Sequence, residues 1–159
     1  MPVEWEWLSR SLEATAALGQ RIGERLWPGS FIALVGDLGA GKTALAQGIL
    51  AGLGVERSGG SPTFPLLWEY RGGRLPVYHW DVYRIRGLWE LEELGYEDSF
   101  YGDGVCLVEW ADKVEALWPP EHLRIDLETV PDGRRLRLTA RGARYEALLE
   151  ELRHADPGV

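Results

Sequence analysis

Gly36, Gly41, Lys42 and Thr43 are spaced as a glycine, four free positions, then Gly-Lys-Thr, which is a complete phosphate-binding loop. The glycines let backbone N–H groups wrap a phosphate without Cβ clashes, and a helix starting here aims its positive dipole end at the anion. Lys42 reaches the outer phosphates and Thr43 offers a hydroxyl to magnesium, while Asp37, Leu38, Gly39, Ala40 and Ala44 complete the cradle. The chemistry implied is nucleotide binding with phosphoryl transfer. Composition sharpens the role of Lys42: of 17 Lys plus Arg residues, only Lys42 and Lys113 are lysines. Lysine was kept where a compact point charge, rather than a planar fork, must follow a phosphate oxygen.

Such a loop needs acidic help to hold magnesium and orient water. Glu109 directly follows the apolar run at 105–108, where the acid that ends a second nucleotide strand belongs, and Asp81 ends the run at 77–81. Glu109 is expected to contact magnesium, directly or through water, and Asp81 to position water; the reverse order stays open. Ser61-Pro62-Thr63 falls where a first switch segment belongs, with Gly59 and Gly60 as its hinge. His79, two residues before Asp81 on one strand, shares its face and is expected to orient it. Trp110, beside Glu109, is expected either near the nucleotide or a partner or as a packed aromatic.

The elements that must hold these groups follow from periodicity. Residues 11–26 carry apolar residues at Ala14, Leu18, Ile22 and Leu26, one face of a helix that Pro28 and Gly29 stop. Residues 31–35 read as the nucleotide strand and 43–51 as its helix. Residues 64–70 and 75–81 read as an antiparallel pair around Gly72 and Gly73, and 105–108 as a buried strand. A hairpin is expected over 122–130 and 134–139, with helices at 88–94, 111–118 and 144–154. The fold class is therefore α/β, a P-loop domain with a mixed, mainly parallel central sheet flanked by helices and containing hairpins. One domain over 1–159, with 155–159 as a frayed tail, accounts for the length.

No stretch is long or apolar enough to span a membrane, no signal peptide is legible, and the single cysteine, Cys106, sits in an apolar run as a buried thiol. A cytoplasmic protein is expected. The net charge of −8 argues against this chain gripping a nucleic acid backbone by itself. Asparagine is absent, which excludes the usual guanine-reading Asn-Lys-x-Asp motif.

With these residues collected, the chain resembles the bacterial tRNA threonylcarbamoyladenosine biosynthesis ATPase family, TsaE, also called YjeE. The resemblance rests on Ala14-Thr15 and Leu18-Gly19, the phosphate loop, Ser61-Pro62-Thr63-Phe64, His79-Trp80-Asp81-Val82-Tyr83-Arg84, Glu92-Glu93-Leu94-Gly95 and Cys106-Leu107-Val108-Glu109-Trp110. These keep the family's order over residues 11–118. Ala44, Trp80, Val82 and Ala111 depart from the commoner residues, and none of these removes a charged or phosphate-binding group. The resemblance implies an ATPase with Mg2+ that serves the TsaD and TsaB proteins, which transfer a threonylcarbamoyl group to the adenosine beside the anticodon. It implies that tRNA is met only through that complex and that hydrolysis resets it. It also places the segment from Leu12 to Thr15 near the adenine. The residues themselves lead us to expect catalysis from Lys42, Asp81, Glu109 and Thr63, with Asp81 and Thr63 sensing the γ-phosphate. The rival is a small-molecule P-loop kinase, which shares loop and magnesium logic but needs an acceptor pocket and an arginine-rich lid that is not legible here.

Overall fold

The computed structural model describes residues 3–36, 41–56, 60–64 and 66–155, and of residues 61–64 and 155 the backbone alone. In chain order the elements are β1 (Val3–Ser9), α1 (Leu12–Glu24), β2 (Phe31–Gly36), α2 (Lys42–Gly52), β3 (Ser61–Phe64), β4 (Leu67–Tyr70) and β5 (Val77–Asp81). There follow α3 (Leu88–Glu93), α4 (Glu97–Phe100), β6 (Val105–Glu109), a 3₁₀-helical segment (Ala111–Leu117), β7 (His122–Val130), β8 (Gly133–Arg141) and α5 (Ala143–Ala155). All eight strands join one sheet in the order β1-β8-β7-β2-β6-β5-β4-β3. Pairing is parallel in the centre, β7 to β2 to β6 to β5, and antiparallel at both flanks.

The central strands are apolar along their length because they are covered on both faces. Along β2, Ile32 and Leu34 face α1, α2 and α5, whereas Phe31 and Ala33 face a second cluster with Trp80, Phe100, Val114 and Trp118. Cys106 is buried in that second cluster, and burial pushes its thiol pKa up. Over β1, β8 and β7 the second face is open and carries ion pairs instead: Arg135–Glu128 at 2.9 Å, Arg137–Glu6 at 3.2 Å and Arg124–Asp126 at 2.9 Å. A depression of about 390 Å3 there is lined by Arg124, Asp126, Arg137 and Arg141 together with Trp118 and His122.

α1 begins at Ser11, whose Oγ accepts the Ala14 N–H at 3.0 Å, a cap worth about 1 kcal/mol. It then crosses α2 closely because Gly19, Gly23, Gly48 and Gly52 meet backbone on the facing helix. At Gly48 a Cβ would strike the Ala16 carbonyl. This contact fixes the helix that carries Lys42.

Three features differ from the sequence reading. β1 was not foreseen, although Val3, Trp5, Trp7 and Ser9 alternate with Glu4 and Glu6 at the period of a half-buried strand. The strand expected over 64–70 is shorter, Leu67–Tyr70, and the expected switch segment 61–63 lies in a further strand, β3, which pairs antiparallel with β4 with a register shift between Pro62 and Phe64. The short helix α4 adds to α3, and its Phe100 packs edge-on against Phe31 and Trp80. The expected tail at 156–159 and the hinge residue Gly59 lie outside the described residues.

Candidate functional site

β2, β6 and β5 run parallel side by side, so their carboxyl ends open at one edge of the sheet. Leu34 is level with Glu109, and Glu109 with Asp81. In such sheets ligands bind beyond the carboxyl ends of the strands. β2 ends at Gly36, where a Cβ would stand 2.5 Å from the Leu127 carbonyl of β7. Gly41 caps α2 in the left-handed conformation at φ 98°, which glycine adopts without strain. Asp37, Leu38, Gly39 and Ala40, expected to cradle phosphate, lie outside the described residues. Thr43 and Ala44 occupy the first turn of α2, Thr43 exposed and Ala44 half-buried.

Lys42 is 6% exposed, and its ammonium donates to the Gly36 carbonyl while standing 3.9 Å from the centroid of the Trp110 ring. Trp110 is the one non-glycine residue with positive φ among those described, at φ 61° and ψ 35°. This left-handed turn ends β6 and swings the indole over Lys42. The other side of the stack is Tyr83, with ring centroids 4.5 Å apart. Lys113 closes it, 5.3 Å from the Tyr83 ring centroid and donating to the Tyr83 carbonyl at 2.8 Å. The two lysines of the chain therefore bracket one aromatic pair.

Glu109 is buried, and its Oε2 accepts from His79 Nε2 at 2.6 Å. This corrects the expectation that His79 orients Asp81: the imidazole reaches across to the neighbouring strand. Asp81 is exposed and accepts the Tyr83 N–H at 3.1 Å, which holds the turn that presents Tyr83. Asp81 and Glu109 thus stand next to each other with different environments, one solvated and one buried.

Thr63 lies in β3 at the sheet edge, with β4 and β5 between it and Glu109, and its side chain is outside the description. Leu12 opens α1 and is 54% exposed. Thr15 is fully buried, its hydroxyl 2.6 Å from Ser9 Oγ and donating to the Ser11 carbonyl at 3.2 Å. The structure brings Lys42, Trp110, Asp81 and Glu109 to one edge, turns Thr15 inward, and leaves Thr63 two strands away.

One residue escaped the sequence reading. Arg134 follows the β7–β8 turn and lies against the start of α2, its Cγ 3.8 Å from where a Gly41 Cβ would stand. Its Nε is buried without a hydrogen-bond partner among the described residues. The same turn rests on the end of β1, since Gly133 packs against the Ser9 carbonyl and Arg10. No sequence signal marked Arg134; only the pairing of β7 beside β2 brings it to the phosphate loop.

Magnesium takes oxygen ligands and keeps much of its shell as water and phosphate. The Thr43 hydroxyl and the Glu109 carboxylate are such donors. Among the described residues no three His, Cys, Asp or Glu side chains form a self-sufficient metal site. The donor set fits an ion that arrives with a nucleotide.

Comparison with known proteins bears on the family and the fold. The family model for Threonylcarbamoyl adenosine biosynthesis protein TsaE matches residues 9–136. The tRNA threonylcarbamoyladenosine biosynthesis protein TsaE of Bacillus subtilis is 44% identical over 152 residues, 95% of each chain. Its counterpart from Treponema pallidum is 41% identical over 128 residues, 80% of this chain and 94% of that one. The crystal structure of Bacillus subtilis YdiB superposes with a TM-score of 0.83 at 40% identity, covering 98% of both chains.

Proposed function

This chain belongs to the TsaE family, and from that premise we propose that it is the Mg2+-dependent ATPase subunit required for threonylcarbamoyl modification of the adenosine next to the anticodon in tRNA. The observation that carries the chemistry is the meeting of a P-loop lysine with two carboxylates at the ends of adjacent parallel strands. In this reading Lys42 and the loop amides of residues 37–41 hold the outer phosphates, and α2 adds the positive end of its dipole. Thr43 and Glu109 would hold magnesium, which would supply positive charge to offset that of the phosphates. Asp81, exposed beside Glu109, positions water, and Thr63 senses the terminal phosphate.

The base end of the nucleotide lies towards Leu12, with Thr15 supporting that segment from inside, and Trp110 flanks the phosphates through Lys42. Partner docking completes the site, and the partners are the TsaD and TsaB proteins of the transferase complex, with tRNA met only there. A missing charge stabiliser supplied in trans is worth on the order of a thousandfold or more in such enzymes. Among the described residues no helix is long and apolar enough to cross a membrane, and we place the protein in the cytoplasm.

The test is ATP turnover by the purified chain, alone and with the TsaB–TsaD pair and tRNA. Partner-stimulated phosphate release, lost in Lys42→Ala, is the expected result. Glu109→Ala should keep nucleotide binding and lose hydrolysis; unchanged turnover in that variant removes Glu109 from the mechanism. Phosphate transfer to an added small metabolite, with no release to water, would make the chain a P-loop kinase.

A further inference from the structure

A buried carboxylate is costly unless it accepts hydrogen bonds. Glu109, 7% exposed, has such a donor in His79, itself 4% exposed. Strand geometry makes the pairing possible. His79 is level with Leu107 on the adjacent strand, and Glu109 lies two residues further along the same face, so the imidazole reaches diagonally to the carboxylate.

From this arrangement we infer that His79 is a positioning residue for the reaction: it fixes the Glu109 carboxylate in the orientation that meets magnesium. The inference rests on the assignment of Glu109 proposed above. A carboxylate oxygen only accepts, so Nε2 is the donor and the proton of the pair is assigned to it. A hydrogen bond to an ionised acceptor is stronger than a neutral one, and here it commits Oε2 and so restrains the carboxylate about its last torsion.

The imidazole is itself held. Its ring lies 6.3 Å from that of Tyr70, at 30° between planes, and the Tyr70 ring fills the space a side chain at Gly60 would need. A line of packed groups therefore runs from Gly60, in the hinge expected ahead of the switch segment, through Tyr70 and His79 to Glu109. His79 Nδ1 is buried with no hydrogen-bond partner among the described residues, so the ring gains nothing polar on its other side. The single bond to Glu109 is what its polarity serves.

Partners that orient a metal ligand typically govern ten- to a hundredfold in metal affinity, so the expected effect is of about that size. The experiment compares wild type, His79→Leu and His79→Gln by calorimetric ADP binding across a magnesium titration, and by urea unfolding in EDTA. In His79→Leu the magnesium concentration that half-saturates the enhancement of ADP binding should rise roughly tenfold or more, while ADP affinity in EDTA stays within about twofold. His79→Gln keeps an N–H of similar reach and should recover most of the loss.

A folded His79→Leu with wild-type magnesium dependence overturns the inference. So does an equal loss of ADP affinity with and without magnesium, which would mean general packing. Nitrogen-labelled NMR on the metal-free wild type gives a reading that needs no folded variant: the slowly exchanging imidazole proton belongs on Nε2, and finding it on Nδ1 overturns the assignment. A wild type whose ADP binding ignores magnesium would instead sink the role of Glu109, and this inference with it.

Discussion

Replacing Trp110 should reverse the usual order of alanine and glycine. Trp110 stands at φ 61° and ψ 35° immediately after β6. For a residue with a Cβ this conformation costs about 1–2 kcal/mol, and for glycine almost nothing. Trp110→Ala and Trp110→Gly both lose the Tyr83 stack, worth about 0.5–1.5 kcal/mol, and the Lys42 contact, worth about 0.5–2 kcal/mol. The contact losses common to both variants sum to roughly 1–3.5 kcal/mol. The variants differ in the strained backbone and in unfolded-state entropy. Glycine recovers about 1.5 kcal/mol of strain and gives back about 0.7 kcal/mol to its freer unfolded chain, a net advantage of about 0.8 kcal/mol. For a chain of this length that corresponds to roughly 2–3 °C in Tm. Urea unfolding of the nucleotide-free variants, read as the midpoint at constant m, measures the difference. An alanine variant as stable as the glycine variant, or more so, would refute the left-handed assignment and with it the account of how the indole reaches Lys42.

The remaining predictions follow from single contacts. Gly48→Ala gains about 1 kcal/mol of helix propensity, but its Cβ would strike the Ala16 carbonyl, so overpacking of about 1–3 kcal/mol should dominate and lower Tm; a stabilised variant would show that α1 and α2 cross less tightly. Tyr145→Phe removes the hydroxyl that accepts the Phe31 N–H at 2.8 Å, leaving a buried donor unpaired at a cost of about 1–3 kcal/mol, and hydrogen exchange at the Phe31 amide should speed up accordingly. The Tyr145 hydroxyl itself, pushed up to about 12 chiefly by burial, should titrate only in strong alkali. His122 has its pKa lowered from the ordinary 6.5 by burial first and by Arg141 and Arg124 as well, against the Pro119 carbonyl and Glu115. A depressed folded pKa means that its stability contribution is full above 6.5 and is lost as pH falls towards the folded value. Unfolding free energy should therefore drop by up to about 1.4 kcal/mol per pH unit in that window, and His122→Gln should flatten the curve.

The parts of this site that could be read in the sequence are those set by short-range pattern. Lys42 and Thr43 sit in a loop whose spacing is itself the geometry, and Glu109 and Asp81 end apolar runs that had to be central strands. That these two acids are neighbours was not legible, because register between parallel strands separated by two helices depends on packing. For the same reason sequence proximity pairs His79 with Asp81, whereas its hydrogen-bonded acid, Glu109, is on the adjacent strand. β1 was missed although its alternation was visible, since Trp5 and Trp7 among acids offered no turn signal on the amino side. Arg134 carried no mark at all: a charged residue after a glycine turn looks like any surface residue until β7 pairs with β2.

The preference for arginine elsewhere gives the two lysines a common explanation that phosphate binding alone does not. Lys113 is exposed and far from the loop in sequence, yet its ammonium does what that of Lys42 does: it donates to a backbone carbonyl while standing over a ring. A guanidinium stacked on an aromatic face spreads its donors in a plane parallel to the ring, away from a carbonyl set above it. An ammonium is a point with three rotatable donors and can satisfy ring and carbonyl together. Lysine at 42 and 113 is thus demanded from both ends of the Tyr83–Trp110 pair. The ring pair joins the exposed turn after Asp81 to the P-loop lysine. Lys113→Arg should therefore loosen the Tyr83 turn despite keeping the charge, and faster amide exchange at Tyr83, whose N–H is held by Asp81, is the measurement that would show it.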